Sequence, residues 1–279
     1  MSEPSRRALR RGEVELSCLD FGGAGRPVML LHGLAGHAGE WRETASWLGH
    51  GHRVLAVDLR GHGYSTAQPA DVSPEAHAAD VALAIEELAG EPVLLVGQSL
   101  GANFAFIVAA ARPELVRTLI IAEGQPGADP QGVGAAAIER WLESWPRPFA
   151  SRAEAVAFFG GGLRGEAWAD GLRDGGDGLW PRFEPDVLVR MLREATARER
   201  WAEWERVECP ALVVRAGRGY FKARHMEDMA TRARRGRYAE LPGAGHDLHL
   251  EDPAGWRRVV EEFLLRVEPA ARAGRDARR

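Results

Sequence analysis

Residues 93–111 read VLLVGQSLGANFAFIVAAA. The four residues Val93-Leu94-Leu95-Val96 form a short, continuously apolar run of the kind buried on both faces of a parallel sheet. Gly97-Gln98-Ser99-Leu100-Gly101 follows, and then an Ala-rich helical stretch from Ala102 to Ala111. A Gly-x-Ser-x-Gly pentad between a strand and a helix demands a very tight turn. The serine takes a strained backbone, and small residues on either side let the chain pass. Ser99 Oγ would project above the strand ends at a helix N-terminus, where partial positive charge favours a developing oxyanion. The Leu100 amide would be one donor to it.

Working outward, similar runs recur at Val28–Leu31, Val54–Val57, Thr118–Ile121 and Ala211–Val214, the sheet rhythm continues at Tyr238–Leu241, and Val14–Phe21 partly alternates. Helical patterns lie between them. The clearest is Glu75–Leu88, opened by Ser73-Pro74, which suit an N-cap and a first helical turn. Strand and helix in alternation predict an α/β fold with a mostly parallel central sheet and helices on both faces.

The rhythm stops between Gln125 and Arg206. That segment reads as helices broken by Gly160-Gly161-Gly162, Gly175-Gly176 and Trp145-Pro146-Arg147-Pro148, and it holds six of the nine tryptophans. A helical insert over residues 125–206 is expected to cap a discontinuous core of residues 12–124 and 207–268. Such insertions often act as mobile lids. Trp201 and Trp204, three apart on one helix face, are expected to pack the cap onto the core. The other cap tryptophans either line an apolar pocket or pack. The arginine-rich start, residues 1–11, and residues 269–279 read as disordered tails.

Composition bounds the function. The chain has 279 residues, 45% hydrophobic and 27% charged, and a net charge of −4, which excludes overall disorder and gives no reason to expect nucleic-acid binding. Two cysteines, Cys18 and Cys209, cannot build a disulfide scaffold or a four-cysteine zinc site, and both sit in apolar runs that read as packing. Nine histidines show no metal-ligand spacing, and no P-loop or strand-linked Gly-x-Gly-x-x-Gly appears, so no metal or nucleotide cofactor is expected. No run approaches a membrane span, and the charged start lacks a signal-peptide core, so a cytoplasmic location is expected.

Three further motifs follow strands. His32-Gly33-Leu34 comes after Val28–Leu31. Its turn would place the Leu34 amide opposite that of Leu100, with His32 itself as a hydrogen-bonded packing residue. Asp58-Leu59-Arg60-Gly61-His62-Gly63-Tyr64-Ser65 comes after Val54–Val57 and reads as scaffold, with Asp58 and Arg60 able to pair. Pro242-Gly243-Ala244-Gly245-His246-Asp247 comes after the last strand. A serine hydroxyl needs a base with a pKa near the operating pH, and histidine fits. His246 stands at the Gly-rich loop tip, 147 positions after Ser99, and His249 is a nearby competitor.

With these residues in this order, Val14 to Leu265 resembles the α/β-hydrolase family, in the branch of small esterases, lactonases, C–C hydrolases and Ser-type relatives of the dehalogenases. The resemblance implies a helical cap where the insert lies. It is weak on substrate, because the fold hosts many chemistries. The match fails at one place. The family usually carries an aspartate in a Gly-x-x-Asp pattern after the strand that follows the cap. Here that stretch is Gly217-Arg218-Gly219-Tyr220. A serine triad wants an acid to fix the histidine tautomer. The best substitute is Glu123, after Thr118–Ile121, where some dehalogenase-like members carry theirs. Glu227, Asp228 and Asp247 are alternatives, as is a dyad with no acid.

The expected activity is hydrolysis of a small, apolar ester or lactone, with Ser99 as nucleophile, His246 as base, Glu123 as acid, and the Leu34 and Leu100 amides as the oxyanion hole. C–C hydrolysis or other carbonyl chemistry on the same site is a second enzyme reading. A slow-turnover ligand-binding protein is the reading outside enzymes, supported only by the missing aspartate. Fold analogy alone places Asn103 and Phe104 near the site.

Overall fold

The computed structural model describes residues 3–129 and 131–268. The chain opens with a hairpin of β1 (Ser5–Arg11) and β2 (Val14–Gly22), followed by β3 (Pro27–Leu31), α1 (Arg42–Leu48), β4 (Arg53–Asp58) and α2 (Pro74–Ala84). The segment β5 (Val93–Gln98), α3 (Leu100–Ala111) and β6 (Val116–Ala122) carries the serine turn. Then come α4 (Val133–Glu143), α5 (Arg152–Phe158), α6 (Gly162–Asp170), a hairpin of β7 (Arg173–Asp174) and β8 (Leu179–Trp180), α7 (Pro185–Ala195) and α8 (Trp201–Trp204). The chain continues through β9 (Ala211–Ala216), α9 (Ala223–Arg232), β10 (Gly236–Leu241), α10 (Leu248–Glu251) and α11 (Pro253–Val267).

Eight strands form one sheet in the order β1-β2-β4-β3-β5-β6-β9-β10. β1 and β2 pair antiparallel, as do β2 and β4, and every later pairing is parallel. The continuous apolar runs are explained by burial on both faces. Met29, Leu31, Leu95, Leu119, Ile121 and Val213 face α2 and α3, in one core. Their neighbours Val28, Leu30, Leu94, Val96, Ile120 and Val214 face α1 and α11, in the other. Because β3, β5, β6, β9 and β10 run parallel, the loops leaving them gather at one end of the sheet, where open α/β sheets place their ligands. Ser73 caps α2 as its sequence predicts, accepting from the Ala76 amide at 3.2 Å, with Pro74 in the first turn.

One expected tail is not a tail. Ser5–Arg11 is strand β1, paired along its length with β2. The arginine run that reads as a solvated terminus is an edge strand, where charged side chains are usual. Two of its arginines are also held by buried carboxylates, Arg6 by Asp58 at 2.9 Å and Arg11 by Asp80 at 2.6 Å. The other expected tail, residues 269–279, lies outside the described residues.

Between β6 and β9 the regular elements among the described residues are helices, apart from the two-residue strands β7 and β8, too short to show as a pattern. Trp145 packs edge-on against Phe159, Trp168 and Phe183. Trp204 is fully buried, donates to the Met229 carbonyl at 2.7 Å and meets Phe106 of α3 edge-on, while Trp201 is half-buried beside it and carries Arg232 over its ring. Burial pushes both cysteine thiols up to about 12, as expected of packing residues. No helix among the described residues is long and apolar enough to cross a membrane.

His32, His62 and His77 are fully buried. Burial drives all three pKa values down, His62 to about 3. Folding therefore favours their neutral forms. Their contribution is fully present above the unfolded value near 6.5 and is lost as pH falls toward the folded values, each by up to about 1.4 kcal/mol per pH unit. The urea midpoint should fall between pH 7 and pH 5, before most carboxylates titrate. His62→Gln should flatten that slope, and a midpoint unchanged over this range would contradict the account.

Candidate active site

The site is built from five loop ends. β5 ends at Gln98, and Ser99 stands alone before α3 with φ 52° and ψ −115°. This is the strained turn the pentad predicts. A Cβ on Gly97 would lie 2.4 Å from the Gly101 carbonyl oxygen, and one on Gly101 would lie 2.4 Å from that of His32. No side chain fits at either position, which is why both are glycine. The Ser99 amide donates to the Ala122 carbonyl at 2.8 Å, tying the turn to the end of β6.

The β3 loop crosses directly in front. A Cβ on Gly33 would lie 2.2 Å from Gln98 Oε1 and 3.1 Å from Ser99 Cβ. His32 holds this loop in place. Its Nε2 accepts from the Leu59 amide at 3.0 Å, so Nδ1 carries the proton and donates to the Gly33 carbonyl at 2.7 Å. This is the packing role expected of it. Burial favours the neutral ring that these bonds require. Leu34 and Leu100 both line the cavity above Ser99. Among the described residues the Leu34 amide has no acceptor. The Leu100 amide begins α3, where helix geometry leaves donors unpaired.

Glu123 follows β6 directly, with φ 50°, and is fully buried. Its Oε2 lies 3.2 Å from His246 Nδ1. Two backbone amides also point at the carboxylate: Ala216 donates to Oε1 at 2.8 Å and Tyr220 to Oε2 at 3.1 Å. Both amides belong to the β9 end, where the expected aspartate is missing. A Cβ on Gly219 would lie 2.1 Å from Glu123 Oε2, so the carboxylate occupies the space beside that loop.

His246 is reached through groups the sequence reading missed. Gln98 Nε2 donates to the His246 carbonyl at 3.0 Å. Glu251 accepts from the Gly245 amide at 3.0 Å and the Asp247 amide at 3.3 Å, clamping the loop from both sides. The Tyr220 ring lies over the imidazole, with centroids 4.5 Å apart. Gln98 sits within the pentad, so its position was visible but its role was not. Glu251 and Tyr220 carry no local signal.

Ser99 and His246 open onto one cavity of about 1260 Å³. No hydrogen bond joins Ser99 Oγ to His246 among the described residues, a looseness common in ligand-free sites. Ile138, Trp141, Phe159, Leu163 and Trp168 line the far wall, from the segment between β6 and β9. Of the alternative acids, Asp247 lines the cavity without bonding His246, and burial pushes its carboxyl up. Asp228 is exposed on α9 and pairs with Arg232, and Glu227 is exposed beside it. His249 is buried behind the loop, stacked on Trp41 and 3.3 Å from Glu40, rather than at the loop tip. The expected Asp58–Arg60 pair is corrected. Arg60 turns to α2 and grips Asp80 at 2.6 and 2.8 Å, while Asp58 takes Arg6 and the Ala38 amide. Both remain scaffold.

Comparison with known proteins agrees with this fold. A family model described as the alpha/beta hydrolase fold matches residues 26–253. An sn-1-specific diacylglycerol lipase of Mus musculus is 28% identical over 85% of this chain and 80% of its own length. An N-formylmaleamate deformylase of Pseudomonas putida is 28% identical over 88% of this chain and 91% of its own. The crystal structure of an E-2-(acetamidomethylene)succinate hydrolase superimposes with a TM-score of 0.85, at 22% identity, over 94% of this chain and 99% of that one. On the motifs, the sheet order and these matches together, the chain belongs to the α/β-hydrolase family and is a hydrolase.

Proposed function

We propose that the protein cleaves a small ester or lactone through an acyl-enzyme on Ser99. The observation that carries this reading is the Glu123–His246 bond, facing the cavity onto which the strained Ser99 opens. His246 Nδ1–H donates to Glu123, which leaves Nε2 free to take the Ser99 proton. The charge that develops on the imidazole is then met by a buried carboxylate. Ser99 Oγ attacks the acyl carbonyl, and the Leu34 and Leu100 amides receive the oxyanion. His246 returns the proton to the leaving oxygen. Water, activated by His246, then adds to the acyl-enzyme and releases the acid and Ser99. The relatives named above include a lipase and a deformylase, so acyl transfer to water is chemistry their sequences share. The sequence argument for a mere binding protein was the missing aspartate, and the Glu123–His246 bond weakens it.

The apolar wall from Ile138 to Trp168 suits a largely hydrocarbon substrate. The segment 125–206 would then act as the cap, closing over substrate and excluding water.

A fluorophosphonate probe should label Ser99, with the modified peptide identified by mass spectrometry, and His246→Ala should abolish the label. A folded protein left unlabelled at neutral pH would overturn the reading. Glu123→Gln keeps the size and one acceptor but loses the charge. It should lower kcat about a hundredfold or more with little change in KM. Asp247→Asn should not match that loss. Gly219→Ala should lower kcat as well, because its new methyl displaces the Glu123 carboxylate; full activity in that variant would contradict the acid assignment.

A further inference from the structure

Asn103 lies four residues after Ser99, one turn along α3, and lines the same cavity. Helical side chains lean toward the N-terminus, so it reaches back toward Ser99. Its Oδ1 is buried without a hydrogen-bond partner among the described residues. Among the described residues its amide nitrogen makes no hydrogen bond either and, unlike Oδ1, is not sealed off. An unpaired buried amide costs about 1–3 kcal/mol. An alanine or leucine there would avoid that cost, since the residues around it on α3, Ala102, Phe104 and Ala105, are apolar and buried. A second amide, Gln125, lines the cavity two residues after Glu123. Its neighbour Gly124 abuts α3 closely, for a Cβ there would lie 2.4 Å from Ala102 Cβ and 3.1 Å from the Ser99 carbonyl oxygen. A polar seat therefore lies beside the nucleophile, in a cavity whose lining also includes Gln98, Asp129, Arg164, Arg218 and Glu251.

We propose that Asn103 determines specificity by donating a hydrogen bond to a second carbonyl-type oxygen on the acyl group, about one helical turn from the scissile carbonyl. The acyl side is indicated because Asn103 shares α3 with Leu100, whose amide faces the acyl oxygen, whereas the leaving group faces His246. The preferred acyl group is then a short chain bearing a keto or carboxylate oxygen near its fourth carbon. This inference rests on the ester-hydrolase reading above.

The test compares methyl pentanoate, methyl 4-oxopentanoate and monomethyl succinate by pH-stat, in the wild type, Asn103→Leu and Asn103→Asp. The wild type should favour at least one oxygenated ester over pentanoate by about tenfold in kcat/KM, the size of one well-made hydrogen bond. A keto preference indicates a neutral acceptor, and a succinate preference an anionic one. Asn103→Leu should erase the preference, lowering kcat/KM for the favoured oxygenated ester by about tenfold relative to that for pentanoate. Asn103→Asp, which loses the donor and adds charge, should reject succinate most strongly. A wild-type ratio near one, or a preference that survives both variants, would overturn the proposal. Failure of the underlying reading looks different: no ester, pentanoate included, would be hydrolysed in a Ser99-dependent way.

Discussion

The turn from β5 into α3 leaves no room for a side chain on either side of Ser99. Gly97 and Gly101 sit with backbone against backbone at separations that no Cβ tolerates. That close approach pulls α3 onto the sheet and forces Ser99 to a positive φ. Strain of this kind costs about 1–3 kcal/mol and persists only where the surroundings over-determine it. Here they do. β5 is flanked by β3 and β6, the Ser99 amide is bound to Ala122, and two apolar cores close on the strand from opposite faces. The side chain is left exposed to the cavity because every other direction is filled.

The same parallel sheet explains how an acid can move between strands. β6 and β9 are neighbours, so their ends open side by side. Either loop can therefore bring a carboxylate beside His246. Glu123 reaches it from β6, with Oε2 3.2 Å from His246 Nδ1. The β9 loop keeps a part in the arrangement through the Ala216 and Tyr220 amides, which bind the carboxylate. Those bonds orient it, and among the described residues no arginine or lysine pairs with it. Gly219 leaves the space that the Glu123 carboxylate fills.

How much of this could be read from the chain differs by kind of interaction. Val93–Gly101 announces its strand and turn because the pattern is local. The apolar runs announce a parallel sheet because both faces of it are buried. Ser73-Pro74 announces the start of α2 for the same reason of locality. Residues 5–11 mislead, because an edge strand held by Asp58 and Asp80 has the composition of a solvated tail, and the carboxylates lie far away in sequence. The Asp58–Arg60 pairing fails similarly: Asp58 is taken by Arg6 and the Ala38 amide, and Arg60 reaches Asp80 on α2 instead. At the site, Ser99, His246 and the candidate Glu123 carry motif or position signals. Gln98, Glu251, Tyr220 and the unpaired Asn103 depend on loops meeting in space, and no spacing rule reaches them.

The central claim is that Glu123, and no carboxylate after β9, is bonded to the imidazole of His246. Proton NMR of the folded protein reads that bond directly through the His246 Nδ1 proton. A strongly downfield imidazole resonance should be present in the wild type and in Ser99→Ala, and absent in Glu123→Gln and in His246→Ala. The same resonance persisting unshifted in folded Glu123→Gln would show that another group holds His246, and would contradict the account.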